Sequence, residues 1–267
     1  MPSDEVNILF IGDIVGKPGR KIVYQKLPKL CEKYKLDCII ANGENAAGGL
    51  GITPKIAEEL FDNGINIITS GNHVWKKKEI LPYLEQNNRL LRPANYPPGV
   101  PGKGWTIFTL HSGLKLGIIN LEGRVFMQNL DCPFRVAETI IEKMRQITPI
   151  ILLDFHAEAT SEKKAMGWFL DGKISVVLGT HTHVQTADET ILPQGTGYIT
   201  DVGMTGALYS VIGMKIETAL RRFLTQLPQR FKPEKGPCSL QGVVVTINAL
   251  SGKAQSVERV IEVTNEH

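Results

Sequence analysis

The chain has only four cysteines in 267 residues, and Cys31, Cys38, Cys132 and Cys238 form neither a CxxC pair nor a spacing expected of a zinc site. A chain this long builds its core without disulfide staples, so they read as thiols in a reducing cytosol. Long apolar runs are also missing, none approaching the roughly 20 residues that cross a bilayer. The opening Met1-Pro2-Ser3-Asp4-Glu5 lacks the basic start and apolar stretch of a signal peptide. These absences imply a soluble, cytoplasmic protein without a membrane partner. An excess of charge of one sign is missing too. A formal net charge of +3 does not indicate nucleic acid, though it leaves that possible, and an anionic small substrate suits it equally well. No linker, internal repeat or low-complexity tract breaks the chain, so residues 1–267 read as a single domain.

What is present is an ordinary globular composition, 42% hydrophobic and 21% charged. A first strand and a turn at Gly16 to Gly19 lead into a predicted helix from Lys21 to Tyr34. Strand 38–42, a glycine-rich loop, a helix opened by Thr53-Pro54, strand 65–69 and a helix from Lys77 to Gln86 follow. Alternation of β and α predicts parallel pairing. Residues 92–102 are too rich in Pro and Gly for a regular element. Strands at 105–110 and 114–120 read as a hairpin turning at Ser112-Gly113. Helices near 134–146, 161–170 and 215–225 and strands at 149–155, 175–179, 240–247 and 256–263 complete the pattern. The mixture predicts an α/β fold, a four-layer α/β/β/α sandwich.

Five apolar runs each end in a metal-binding or proton-transferring side chain. They lead to Asp13, to Glu44-Asn45, to Asn72-His73, to His156 and to His181-Thr182-His183. Ligands of such sheets bind outside the carboxyl ends of the strands, so these groups are aimed at one rim. Residues two apart in extended backbone share a face, so His181 and His183 can flank two ions roughly 3.5–4 Å apart. His156 adds a third imidazole, and a set without cysteine suits zinc, iron, manganese or nickel. Asp13 and Glu44 supply negative charge, Glu44 being able to bridge both ions, while Asn45 and Asn72 offer neutral oxygens. Two dications, two carboxylates and a hydroxide leave one positive charge, which attracts a phosphodiester monoanion. Adjacent side chains diverge in extended backbone, so His73 should face the substrate if Asn72 faces metal. Its ordinary pKa near 6.5 suits a proton donor to the leaving alkoxide.

Taken singly, each feature has a plainer explanation. Asp13 alone reads as a turn or cap, Glu44-Asn45 as loop, His156 as a hydrogen-bonded core histidine and His73 as a helix start. Coincidence at five strand ends is improbable. Lys76 reads as part of a solvated first turn that can reach a phosphate, Arg124 as a phosphate contact or surface ion pair, and Asp201 to Gly206 as an ordinary turn by default, though its Gly content is that of a phosphate-approaching loop. His111 and His267 read as incidental surface residues.

With these residues assembled, the chain resembles the calcineurin-like metallophosphoesterases, through Gly71-Asn72-His73 and Gly179-Thr180-His181-Thr182-His183. It is similar in particular to their bacterial YmdB-type branch, through Phe10 to Gly16, Asn42 to Ala47, Asp154 to Ser161, Gly179 to Ala187 and Ile199 to Gly206. Two departures from the wider superfamily agree with that branch. Val15 stands where many members have a second ligand histidine, and Glu44 replaces a bridging aspartate, with Asn45 taking up the vacant coordination. The resemblance implies that Asp13, Glu44, Asn45 and His183 hold one metal, that Glu44, Asn72, His156 and His181 hold the other, and that His73 is the proton donor. It further implies iron, with manganese able to substitute, a homo-oligomer, and hydrolysis of cyclic nucleotides such as 2′,3′-cyclic AMP by in-line attack of a metal-bridging hydroxide. A phosphomonoesterase on the same metals, or a non-catalytic nucleotide- or RNA-binding regulator, are the competing expectations.

Overall fold

The computed structural model describes residues 4–264; Met1 to Ser3 and Asn265 to His267 lie outside them. In chain order the elements are β1 (Glu5–Ile11), β2 (Asp13–Ile14), α1 (Gly16–Tyr34), β3 (Cys38–Asn42), α2 (Pro54–Asp62), β4 (Ile67–Thr69) and α3 (Ile80–Gln86). Next come β5 (Trp105–Thr109), β6 (Lys115–Glu122), α4 (Pro133–Met144), β7 (Ile151–His156), α5 (Thr160–Leu170) and β8 (Val176–Thr180). The rest are β9 (Thr190–Ile191), β10 (Gly197–Ile199), β11 (Met204–Ala207), α6 (Ile216–Thr225), β12 (Cys238–Asn248) and β13 (Ala254–Val263).

Among the described residues one sheet has seven strands, ordered β2-β11-β12-β1-β3-β4 with β13 also paired to β12, and the other has six, ordered β5-β6-β7-β8-β10-β9. As the alternation predicts, β1, β3 and β4 run parallel, and so do β6, β7, β8 and β10. Side chains alternate across each strand and thereby set the layers. Along β1, Leu9 and Ile11 join Val23 and Leu27 of α1 and Leu60 of α2 in one buried cluster. Ile8 and Phe10 point the other way and join Ile118, Leu152 and Leu178 of the second sheet. Leu153 and Val177 on that sheet's far face join Ile141 of α4 and Met166 of α5. Helix, sheet, sheet, helix is the predicted four-layer α/β/β/α order. Phe10 is fully buried between the sheets, and Phe10→Ala there costs about 3–5 kcal/mol.

Local signals held in places and failed in others. Thr53 caps α2 by accepting from the Ile56 N–H at 3.3 Å, with Pro54 in the first turn. The turn expected at Gly16 to Gly19 is instead the start of α1, where Pro18 is tolerated because first-turn N–H groups need no helical partner. α3 begins at Ile80, three residues late, because Val74–Lys76 forms a 3-10 turn and Lys77 is extended. The region read as a turn at 201–206 enters strand β11, which pairs with β2 and β12.

Candidate metal centre

The two sheets contribute different chemistry to one point. The first supplies Asp13 from β2, Glu44 and Asn45 just beyond β3, and Asn72 and His73 just beyond β4. The second supplies His156, the last residue of β7, and His181 and His183 just beyond β8. Glu44 is central and buried. Its Oε1 lies 3.3 Å from His156 Nε2 and 3.3 Å from His73 Nδ1, and it accepts from the Asn45 amide at 3.1 Å. His156 Nε2 also lies 3.1 Å from Asn72 Oδ1 and 3.0 Å from His181 Nδ1. His183 Nε2 lies 3.1 Å from the Asn45 amide nitrogen and 3.9 Å from Asp13 Oδ1. All eight residues singled out from the sequence therefore meet.

Glycine at position 71 is required by this convergence. A Cβ there would overlap the His156 ring and the Glu44 carboxylate. The histidine pair is arranged by a means the sequence reading did not anticipate. His181 and His183 have φ of 103° and 65°, so the segment is a bend rather than extended strand, and alternation is not what aims the rings. Asp201 holds the bend: its Oδ2 accepts from Thr182 N–H at 3.1 Å and Thr182 Oγ at 2.8 Å. Lys163 Nζ, 2.7 Å away and equally buried, neutralises that carboxylate. Backbone at His73 is likewise a turn, with φ −94° and ψ 3°; it still separates the pair, Asn72 going to His156 and His73 to Asn45.

Hydrogen-bond partners fix which ring nitrogens are bare. His183 Nδ1 donates to the carbonyl of Ile212 at 3.0 Å, leaving Nε2 as the lone pair that faces Asp13. Thr180 Oγ donates to Asp154 at 2.7 Å and so accepts from His156 Nδ1 at 2.9 Å, leaving His156 Nε2 bare. His181 Nε2 lies 3.0 Å from Glu158 Oε2, and donation there leaves His181 Nδ1 bare. Two lone pairs then face each other at 3.0 Å, an arrangement that needs a proton or a metal ion between them. His73 Nδ1 donates to Asn45 Oδ1 at 2.8 Å, which engages the Asn45 oxygen. Asn45 must turn its amide over to offer that oxygen to a cation.

The electrostatics are those of a cation site. Burial lifts Asp13 above the usual carboxylate range despite His183 and His156. Burial also acts on Glu44, but His156 and His73 outweigh it and hold the carboxyl well below that range. Burial would lower His156, yet Glu44, Asp13 and Asp154 raise it to about 9, while burial and the neighbouring His156 lower His181 to about 3. Burial pushes Asp154 and Glu122 up to about 7.

A metal fits these residues. Asp13 Oδ1 is fully buried and accepts no hydrogen bond, a costly state for a carboxylate oxygen unless a cation faces it. One ligand atom each from Glu44, His156 and His181 lies within 4.8 Å of the others, and oxygen with imidazole nitrogen suits a first-row divalent ion.

The weaker candidates fall elsewhere. Lys76 is exposed at the end of the 3-10 turn, and His111 is exposed in the β5–β6 hairpin. Arg124 is exposed, its backbone N–H meeting the Glu162 carboxylate at 3.1 Å. Asp201, read as a turn residue, is the buried brace of the histidine bend. Sequence reasoning missed Thr180, Asp154 and Glu158. The signal for Asp154 was available: a carboxylate inside the apolar run Ile150 to His156 has to be partnered.

A carboxylate, carboxamide and imidazole cluster at the strand ends of a layered α/β fold with two sheets marks a hydrolase acting on phosphoester bonds. The YmdB-like protein family matches residues 9–260, and the chain belongs to that family. It is 51% identical to the 2′,3′-cyclic-nucleotide 2′-phosphodiesterase of Bacillus subtilis over 262 residues, 98% of each chain. A crystal structure described as a novel phosphatase from Mycoplasma pneumoniae superposes with a TM-score of 0.92 at 35% identity, covering 98% of this chain and 95% of that one. A hypothetical protein of Thermus thermophilus superposes with a TM-score of 0.90 at 41% identity, covering 97% and 99%. No helix of the described residues is long and apolar enough to cross a membrane.

Proposed function

We propose that this enzyme is a dinuclear-metal phosphodiesterase that hydrolyses nucleoside 2′,3′-cyclic phosphates. The observation that carries the reading is the close approach of two imidazole nitrogens, His156 Nε2 and His181 Nδ1, at 3.0 Å beside Glu44. Asp13, Glu44, Asn45 and His183 would hold one ion, and Glu44, Asn72, His156 and His181 the other. When bound, such a pair supplies activation of water for in-line attack and neutralisation of phosphoryl charge. Glu44, within reach of both groups of ligands, would be the shared carboxylate.

His73 has a different task. Its Nδ1 is occupied by Asn45 and lies near Glu44, while the residue lines the cavity beside the cluster. Its Nε2–H is then the group that donates a proton to the departing ribose oxygen. Iron as the resident metal, with manganese able to substitute, and a homo-oligomeric state belong to the same proposal and rest on the resemblance; a cytoplasmic location and a single domain over residues 1–267 belong to it too and rest on composition and length.

The test is metal analysis of protein purified without a chelating tag, paired with rates on nucleoside 2′,3′-cyclic phosphates, linear diesters and phosphomonoesters. Two equivalents of a transition metal and a preference for cyclic diesters are expected. A preference for monoesters, or turnover that survives complete chelation, would overturn the reading.

A further inference from the structure

The cluster forms one end of a cavity of about 520 Å³ whose other walls are apolar. Phe223 of α6, Phe231 beyond it, Ile212, Met214 and Leu50 line that side, while His73, Asn45 and His183 line the polar side. Two of these apolar residues are markedly open, Phe223 at 71% and Ile212 at 51% relative exposure. Ile212 is held at φ 47°, a conformation that a β-branched residue adopts only under constraint. Its carbonyl takes the His183 N–H, so the apolar wall is fastened directly to the polar end of the same cavity.

We propose that this wall is a nucleobase site, in which a base stacks on the aromatic side chains of Phe223 and Phe231 while the cyclic phosphate lies at the cluster. The inference rests on the phosphodiesterase reading and adds to it the part of the substrate recognised apart from the phosphate. The cavity volume lies within the range of small-ligand sites. A substrate whose phosphate sits against His73 and His183 must lay its uncharged remainder on the apolar side. A planar heteroaromatic base matches that side, because stacking on an aromatic ring depends on the π-face and tolerates any base. Exposed rings beside a charged cluster are otherwise an unfavourable surface.

The experiment compares adenosine 2′,3′-cyclic phosphate with ribose 2′,3′-cyclic phosphate, which lacks the base, in the full-length metal-loaded enzyme. For Phe223→Ala and the Phe223→Ala/Phe231→Ala pair, the ratio of kcat/KM for the base-bearing over the baseless substrate should fall by between about fivefold and about a hundredfold. Phe223→Trp should preserve the ratio and Phe223→Leu should lose it, which separates stacking from mere apolarity. Equal losses on both substrates, or no change in the ratio, would overturn the nucleobase site. If the ratio is unchanged while sedimentation shows that the pair variant alters assembly, the wall belongs to a contact between copies. A wild-type enzyme that cleaves neither substrate overturns the phosphodiesterase reading itself, and this inference with it.

Discussion

The side-chain oxygen of Thr180 lies 2.9 Å from Nδ1 of His156. Because the same hydroxyl donates to Asp154, a ligand-type histidine is oriented by a carboxylate through one intervening hydroxyl. Partners of this kind typically affect metal affinity by about 10–100-fold. Thr180→Val removes the acceptor at nearly constant shape, so affinity should fall by about that factor, whereas Thr180→Ser should retain it. Equilibrium dialysis with metal analysis decides the matter; a Val variant that binds as tightly as wild type removes the relay from the account.

For His73 the expected signature is a split between turnover and metal. His73→Ala should lower kcat by about 10²- to 10⁴-fold and leave metal content unchanged. Metal loss in this variant would make His73 a ligand instead of a proton donor.

The brace under the histidine bend gives a prediction in two stages. Lys163→Met leaves the Asp201 carboxylate buried and unpaired, at a cost of about 3–5 kcal/mol. Adding Asp201→Leu removes the stranded charge and should recover much of that stability in thermal unfolding. Metal affinity should stay low in the double variant, because Thr182 loses the acceptor of both its N–H and its hydroxyl. Recovery of both properties together would show that Asp201 has no part in placing His181 and His183.

Asp188 provides the acid-stability prediction. Burial raises its pKa, but hydrogen bonds from Thr200, Thr186 and Lys164 outweigh burial and bring it down to about 2. The folded value lies below the unfolded reference of 3.8, so between the two the unfolded chain binds more protons and stability rises with pH. The contribution is complete above the unfolded value and disappears as pH falls through the folded one. Asp188→Asn should be less stable than wild type at neutral pH by on the order of 1 kcal/mol, allowing for solvent screening. Denaturant melts should show that gap closing between about pH 4 and pH 2. A gap independent of pH would mean that the effect comes from shape rather than charge.

The strand ends were legible because each combined an apolar run with a small residue and a polar terminus, as in Ile67 to His73. The bend at His181 was not legible, since nothing in Thr-His-Thr-His announces a positive φ; it is imposed by Asp201, which lies far along the chain. Strands of two residues, such as β2 and β9, are too short for any periodicity to register. The apolar cavity wall escaped for a related reason: helical spacing reveals that α6 has an apolar face but not that Phe223 faces a cavity instead of a core.

Since one sheet carries the carboxylates and amides and the other carries the three ligand-type imidazoles, any ion seated among them acts as a rivet through the sandwich. Its binding free energy would then add to the cohesion between layers. Stripping the ion should therefore lower the melting temperature and speed amide exchange along the facing edges of β3 and β7 before it does so in the outer helices. On the proposed assignment neither half of the molecule assembles the hydrolytic machinery by itself, and activity would switch on only when its two slabs have docked.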